Sequence, residues 1–265
     1  MPKFCANLSM LFGEYDFVDR FEAAAKAGFT GVEFLFPYAY DRAELADRLS
    51  RHGLTQVLHN MPPGDWDAGE RGMAILADRV GEFQDGVAQA IDYAKALDCG
   101  RLHCMAGVAP EGADRDALEA TFVDNLRFAA DALKAEGIKC LIEPINTRDI
   151  PGFFLNYTRQ AHDIIAKVGS DNLFIQYDIY HMQIMEGDLA PTIAAHLNEI
   201  AHMQLADTPG RHEPGTGEIN YPFLFSHIDG LGYDGWIGCE YRPATTTGEG
   251  LGWYAPYAAG SVAAE

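Results

Sequence analysis

The feature that most constrains this chain is a repeated alternation along its whole length. Short runs rich in β-branched and apolar residues alternate with longer stretches of helical periodicity. Strands are predicted at residues 4–9, 31–36, 54–59, 101–105, 139–143, 173–178, 200–205 and 236–240, with helices at 16–27, 41–52, 80–97, 115–136, 158–168, 188–198 and 221–230. Asp16, Asp41 and Thr158 stand where helix N-caps belong, and Gly28, Gly53, Gly137 and Gly169 follow helical stretches as C-terminal stops. Strands begin just after such glycines in KAGFTGVEF, RHGLTQVLH and AEGIKCLIE. Eight units in 265 residues come to about 33 residues each. That is the size of a βα unit, so the expected fold is α/β, a single-domain (β/α)8 TIM barrel over residues 1–265. A doubly wound open sheet is the alternative, but it usually carries a glycine-rich phosphate loop after its first strand. Here that strand runs into SMLFGEYDF, without the pattern.

Composition narrows the partners. Nineteen Lys and Arg against 39 Asp and Glu leave a net charge of −20. So acidic a surface repels phosphate backbones, and neither nucleic acid nor an anionic membrane is expected as a partner. Five cysteines with no C-x-x-C pairing include Cys5, Cys104, Cys140 and Cys239 inside apolar runs, which reads as core packing in a reducing compartment. The N-terminus lacks an apolar stretch of signal length, and no segment is apolar enough to span a membrane. A soluble cytoplasmic protein is expected, and assembly as a homo-oligomer is compatible with the chain.

In a barrel the C-terminal ends of the strands face the active site. The last four predicted strands deliver Glu143, Asp178, Gln204 and Glu240, spaced 35, 26 and 36 residues apart. Three carboxylates at one mouth raise one another's pKa unless a cation neutralises them. All-oxygen ligation favours Mg²⁺ or Mn²⁺ over Zn²⁺. A single acid at a strand end also serves as a helix cap or a loop ion pair; four in register point to a metal. His59 and His103 end strands three and four, and His181 follows Asp178 in YDIYHM; each is a candidate to bond a substrate hydroxyl or orient a carboxylate, against the alternative of a core histidine. The long loop 60–76 carries Arg71, suited to a bidentate grip on a substrate carboxylate unless Asp67 or Glu70 pairs with it. Arg211, in ADTPGRHEPGTGEIN, is a weaker candidate for the same task, and Trp66, Phe12, Phe36 and Tyr241 are candidate pocket walls.

The stretches NLSMLFGEYDFVDRF, GVEFLFPY, HNMPPGDWDAGERGMAIL, RLHCMAG, LIEPINTRDIPGFFL, YDIYHMQIMEGD, HMQLADTPGRHEPGTGEINY and GCEYRPATTTGEGLGWY resemble the hydroxypyruvate isomerase family, which includes the 2-oxo-tetronate isomerases, within the xylose isomerase-like TIM barrels. The resemblance runs from Asn7 to Tyr254. It implies that Glu143, Asp178, Gln204 and Glu240 are metal ligands and that Glu143 and Glu240 are the acid/base pair. It departs after Met73, where LADRVGEF replaces the family's proline–glycine–arginine turn and Arg79 keeps the basic residue. The implied activity is a metal-dependent interconversion of hydroxypyruvate and tartronate semialdehyde, or of 2-oxo- and 3-oxo-tetronate, by proton transfer through an ene-diolate. The implied partner is a small carboxylate substrate. Three alternatives share the architecture: a ketose 3-epimerase on uncharged sugars, an abasic-site endonuclease with a histidine-rich zinc site, and a non-catalytic binding barrel.

Overall fold

The eight predicted strands all form. The computed structural model describes residues 1–258. The strands are β1 (Lys3–Asn7), β2 (Gly31–Glu33), β3 (Thr55–Asn60), β4 (Arg101–His103), β5 (Lys139–Ile142), β6 (Leu173–Asp178), β7 (Ile200–Leu205) and β8 (Trp236–Cys239). Each pairs in parallel with the next, and β8 pairs with β1, closing a barrel in chain order. Around it run α1 (Arg20–Lys26), α2 (Arg42–His52), α3 (Val80–Ala96), α4 (Arg115–Ala135), α5 (Thr158–Val168), α6 (Ile179–Met185), α7 (Leu189–His196), α8 (Tyr221–Gly230) and α9 (Thr247–Gly250). Among the described residues no helix is long and apolar enough to cross a membrane. All five cysteines are buried and free.

The caps are partly as expected. Asp41 accepts from the N–H of Ala43 and Glu44, and Gly53 and Gly169 close α2 and α5 with φ of 63° and 68°. Asp16 instead precedes a 3-10 turn without a side-chain bond, and the cap of α5 is Tyr157, because the Thr158 hydroxyl turns away to Glu186. Helix α6 was not expected. It starts directly after β6, where Asp178 caps it by accepting from the Tyr180 N–H.

Side chains alternate across each strand, so every second residue enters the barrel. The inward set includes Asn7, Glu33, Asn60, His103, Gln176, Asp178, Gln204 and Gly238, above a small apolar cluster with Cys5, Leu58 and Leu141. The outward set packs on the helices in one large core that includes Phe21, Leu45, Phe122, Leu133, Ile164 and Ile228. Each fully buried side chain of this size contributes about 1.5–3 kcal/mol. The core thus holds the barrel while its upper interior stays polar.

Two loops are fastened over the mouth. Gly72, after Arg71, has φ 111°, and a Cβ there would come within 2.4 Å of the Met105 carbonyl, so the glycine lets the β3–α3 loop dock on the segment after β4. The β7–α8 loop is organised by Asp207, fully buried, whose oxygens accept from the N–H of Thr208, Gly215, Gly217 and Ile219 at 2.9–3.1 Å. An amide in its place loses an acceptor and buries an unmatched donor. Asp207→Asn is expected to cost about 2–4 kcal/mol, and thermal denaturation should show the midpoint falling by at least about 5 °C. An unchanged midpoint would refute this role for the carboxylate.

Candidate active site

The inward residues at the top of the barrel bring His103, Glu143, Gln176 and Glu240 onto one cavity of about 180 Å³, with Asp178 and Gln204 buried behind them. That volume lies below the range of about 300 Å³ and upward that encloses drug-sized ligands, and suits a small metabolite. Glu143 and Glu240 stand one residue beyond the ends of β5 and β8, three strands apart around the barrel. Asp178 ends β6, fully buried, beside Gln204 of β7 in register. Gln204 donates through Nε2 to Glu240, while its Oε1 accepts from Gln176 Nε2 at 2.6 Å. Gln176 Nε2 also donates to Glu143 Oε2 at 3.0 Å.

The histidines divide. His103 points inward, with Nδ1 3.6 Å from Glu143 Oε2, and burial pushes its pKa down to about 3, so it is neutral. His181, on α6, stands between two acids: Nε2 lies 3.7 Å from Glu143 Oε1 and 3.5 Å from Asp178 Oδ2. Its tautomer is set from behind. Asn146 Oδ1 accepts from the N–H of Arg148 and Asp149, which turns Nδ2 onto His181 Nδ1 at 2.6 Å. His181 Nδ1 is therefore an acceptor and the proton sits on Nε2, facing the carboxylates. His59 is not brought to this site. β3 runs one residue further than expected, so Asn60 faces the cavity and His59 faces outward, against Tyr38 and the α3 backbone at Ala90.

Three arginines reach the cavity: Arg71, Arg211 and Arg242. Arg71 pairs with neither Asp67 nor Glu70 through their side chains. Its guanidinium lies 3.7 Å from the Trp66 ring centroid, and Nη1 donates to the carbonyls of Trp66 and Glu70. Arg79 is the residue that takes Glu70, together with Glu82. Arg211, expected to be the lesser anion site, goes instead into the acids: it bonds Glu240 at 2.8 Å and Asp149 at 3.2 Å, and lies 3.8 Å from Asp178. Of the aromatic candidates Trp66 lines the cavity with Phe36 behind it, whereas Phe12 and Tyr241 are core residues. Gln176, Asn146 and the buried Glu33 were not singled out in the sequence; Gln176 stands two residues before Asp178, where strand alternation would have found it.

Burial drives the electrostatics. It pushes Glu143 well above the carboxylate range, with Glu240 and Asp178 adding to the rise. Burial takes Glu240 up to about 8 and Asp178 to about 6, Arg211 partly opposing both. Glu143 Oε1 and Asp178 Oδ2 are buried with no hydrogen-bond partner. Two orphaned carboxylate oxygens beside Glu240 and an amide oxygen are an oxygen-rich donor set, which fits a hard divalent cation. Glu143 and Asp178 converge with His181 closely enough to hold an ion. The proton on His181 Nε2 makes that residue a donor beside the centre.

A closed parallel barrel whose mouth gathers buried carboxylates defines a class, the xylose isomerase-like TIM barrels, and a family profile of that description matches residues 21–257. The chain is 56% identical to the hydroxypyruvate isomerase of Escherichia coli K12, over 97% of this chain and 100% of that one. It is 53% identical to the 2-oxo-tetronate isomerase of Cupriavidus necator, over 97% and 99%. A crystal structure described as AP endonuclease, family 2, from Brucella melitensis superposes with a TM-score of 0.96 at 52% identity, over 97% of this chain and 100% of that chain. The chain belongs to the hydroxypyruvate isomerase/2-oxo-tetronate isomerase family.

The raised carboxyls make stability depend on pH and metal together. With folded-state pKa values near 6 and 8, against about 4 when unfolded, the folded chain keeps protons that the unfolded chain releases. Metal-stripped protein should therefore lose stability as pH rises from about 5 through 8. A divalent cation binds the ionised form, so the stabilisation it adds should grow over the same interval. Thermal melts at about pH 5.5 and 8, in EDTA and in Mn²⁺, check both signs. A metal increment that shrinks as pH rises would be incompatible with these carboxylates as ligands.

Proposed function

We propose that this chain is a divalent-metal-dependent isomerase that shifts a carbonyl between adjacent carbons of a three- or four-carbon oxo acid, hydroxypyruvate or 2-oxo-tetronate. The observation that carries this reading is the pair Glu143 and Glu240, both buried and both with raised pKa, on one small cavity that also presents a guanidinium. The relatives' activities support the substrate class. Glu143, Asp178, Gln204 and Glu240 would hold the cation, and the oxygen-only set favours Mg²⁺ or Mn²⁺. When bound, the cation supplies Lewis-acid polarisation of a substrate carbonyl.

The chain's own residues account for the proton transfer. One carboxylate removes the proton from the carbon bearing the hydroxyl, the other delivers a proton to the neighbouring carbonyl carbon, and the hydroxyl proton passes to the former carbonyl oxygen, so that carbonyl and hydroxyl exchange places. Burial lets Glu240 hold a proton at neutral pH before a cation arrives, and a bound cation would favour its ionised form, ready to accept one. The His181 Nε2–H is placed to donate to a substrate oxygen among the acids, and neutral His103 adds no charge. Arg71 keeps its Nε and Nη2 edge clear of the carbonyl contacts made by Nη1, which leaves it available to a substrate carboxylate. The net charge of −20 supports a small anion over nucleic acid as partner, and five free buried thiols support a reducing, cytoplasmic setting.

Metal-stripped protein reconstituted with Mg²⁺ or Mn²⁺ and offered hydroxypyruvate, 2-oxo-tetronate and neutral ketoses should turn over the acids and only when the metal is present. A preference for ketoses would overturn the reading in favour of a 3-epimerase. Glu143→Gln and Glu240→Gln should each leave less than about a tenth of the activity in a folded protein; more than that in either variant removes it from the proton-transfer pair. Arg71→Met should raise KM for the acids by about tenfold or more, a loss of about 1.4 kcal/mol, with a smaller change in kcat. An unchanged KM would exclude Arg71 as the carboxylate anchor.

A further inference from the structure

Below the metal-ligand candidates lies a fourth buried acid of the barrel interior, which the proton transfer does not use. Glu33 ends β2, is 1% exposed and points into the barrel. Both its oxygens are occupied. Oε1 accepts from Asn7 Nδ2 at 3.0 Å and Gln204 Nε2 at 2.9 Å, and Oε2 faces His202 Nε2 at 2.7 Å and Cys5 Sγ at 3.4 Å. The direction of these bonds is fixed on the Asn7 side, because Asn7 Oδ1 accepts the Ser9 N–H and leaves only Nδ2 for Glu33.

We propose that Glu33 is a positioning residue for the metal centre: its carboxylate holds Nε2 of Gln204 and so keeps Oε1 on the Glu143 side as the oxygen offered to a cation. The two ends of a glutamine amide have nearly the same shape, so packing alone does not choose between them, and partners must. A carboxylate can only accept. Glu33 therefore demands the amide nitrogen at one end of Gln204, and at the other end Gln176 Nε2 donates to Gln204 Oε1 while also serving Glu143 Oε2. The two amides lie among three acids: Gln204 Nε2 serves Glu240 at the mouth and Glu33 below, Gln176 Nε2 serves Glu143, and together the acids leave one consistent order of donors. The fold makes room for Glu33 specifically. Gly238 of β8 is in register with Gln204, and a Cβ there would lie 2.3 Å from Glu33 Oε1.

This inference rests on Gln204 being a cation ligand, and the test separates the two claims. Glu33→Gln is isosteric, but its amide can donate as well as accept, so the constraint that Glu33 places on Gln204 is lost and only Glu240 still calls for the nitrogen. Mn²⁺ affinity, read from the electron paramagnetic resonance signal of free Mn²⁺, should weaken by about 10–100-fold in this variant, as losses of supporting partners typically do. Its near-ultraviolet circular dichroism should be that of the unaltered protein, and activity should recover at saturating Mn²⁺. Affinity within about threefold of the unaltered protein, whatever happens to thermal stability, would mean that Glu33 serves the barrel interior only and would overturn the inference. Unaltered protein that binds no Mn²⁺ would overturn the metal centre itself and this inference with it. Should Glu33→Gln not fold, Gly238→Ala decides the matter by displacing the carboxylate with both charges kept: weakened Mn²⁺ binding supports the inference, and unchanged binding overturns it.

Discussion

Four carboxylates, Glu33, Glu143, Asp178 and Glu240, are buried in the upper barrel with too little water to screen them. The rest of the site is arranged around that constraint. Each acid has a different degree of compensation, and the differences set what each can do. Glu33 is surrounded by donors that outweigh its burial and hold it below the usual carboxylate range. Asp178 spends one oxygen on the Tyr180 N–H and leaves the other unpartnered. Glu240 has Arg211 and Gln204, and Glu143 has a single amide donor. Glu143 and Asp178 each keep an oxygen without a hydrogen-bond partner, burial raises both, and a cation has most to offer there.

That arrangement is costly, and the cost is met by the scaffold. Parallel strands in register carry the acids on neighbouring elements, while the large outer core supplies the stability that the polar interior does not. Loops alone would not hold Arg211 among three acids. Asp207, in the same loop, binds four backbone N–H groups and so fixes the path of the chain beneath the arginine. Asn146 does the same for His181 by holding a ring nitrogen. In each case a side chain that meets no substrate determines where a functional one points.

The fold was legible because each βα unit repeats a physical pattern, and the strand ends followed from it: Glu143, Asp178, Gln204 and Glu240 meet as their spacing implies. What was not legible depends on a single residue of register or on the direction of one loop side chain. His59 was expected at the mouth, but β3 ends at Asn60, and a shift of one residue exchanges the two faces of a strand. Helix α6 was hidden because Asp178 is both the strand end and the cap, so no turn separates the two elements. Gln176 is hidden behind Asp178, the last polar residue of its segment, and Glu33 is hidden because the predicted strand runs on to residue 36 whereas β2 ends at Glu33, although alternation points both inward. Arg211 lies in a glycine-rich loop that carries no periodicity from which its direction can be read.

The arginines resolve how a chain with a charge of −20 can favour an anionic substrate. Arg211 is engaged by Glu240 and Asp149, so much of its charge is already answered before a substrate arrives. Arg71 is held differently, by the face of Trp66 and by two backbone carbonyls. An aromatic face and neutral carbonyls orient a guanidinium without cancelling it. Two arginines on one cavity therefore do separate tasks: Arg211 lets the acids coexist, and Arg71 keeps an uncompensated positive charge at the rim. Local positive charge survives in an acidic protein because the groups that hold Arg71, an indole face and two backbone carbonyls, carry no negative charge to cancel it.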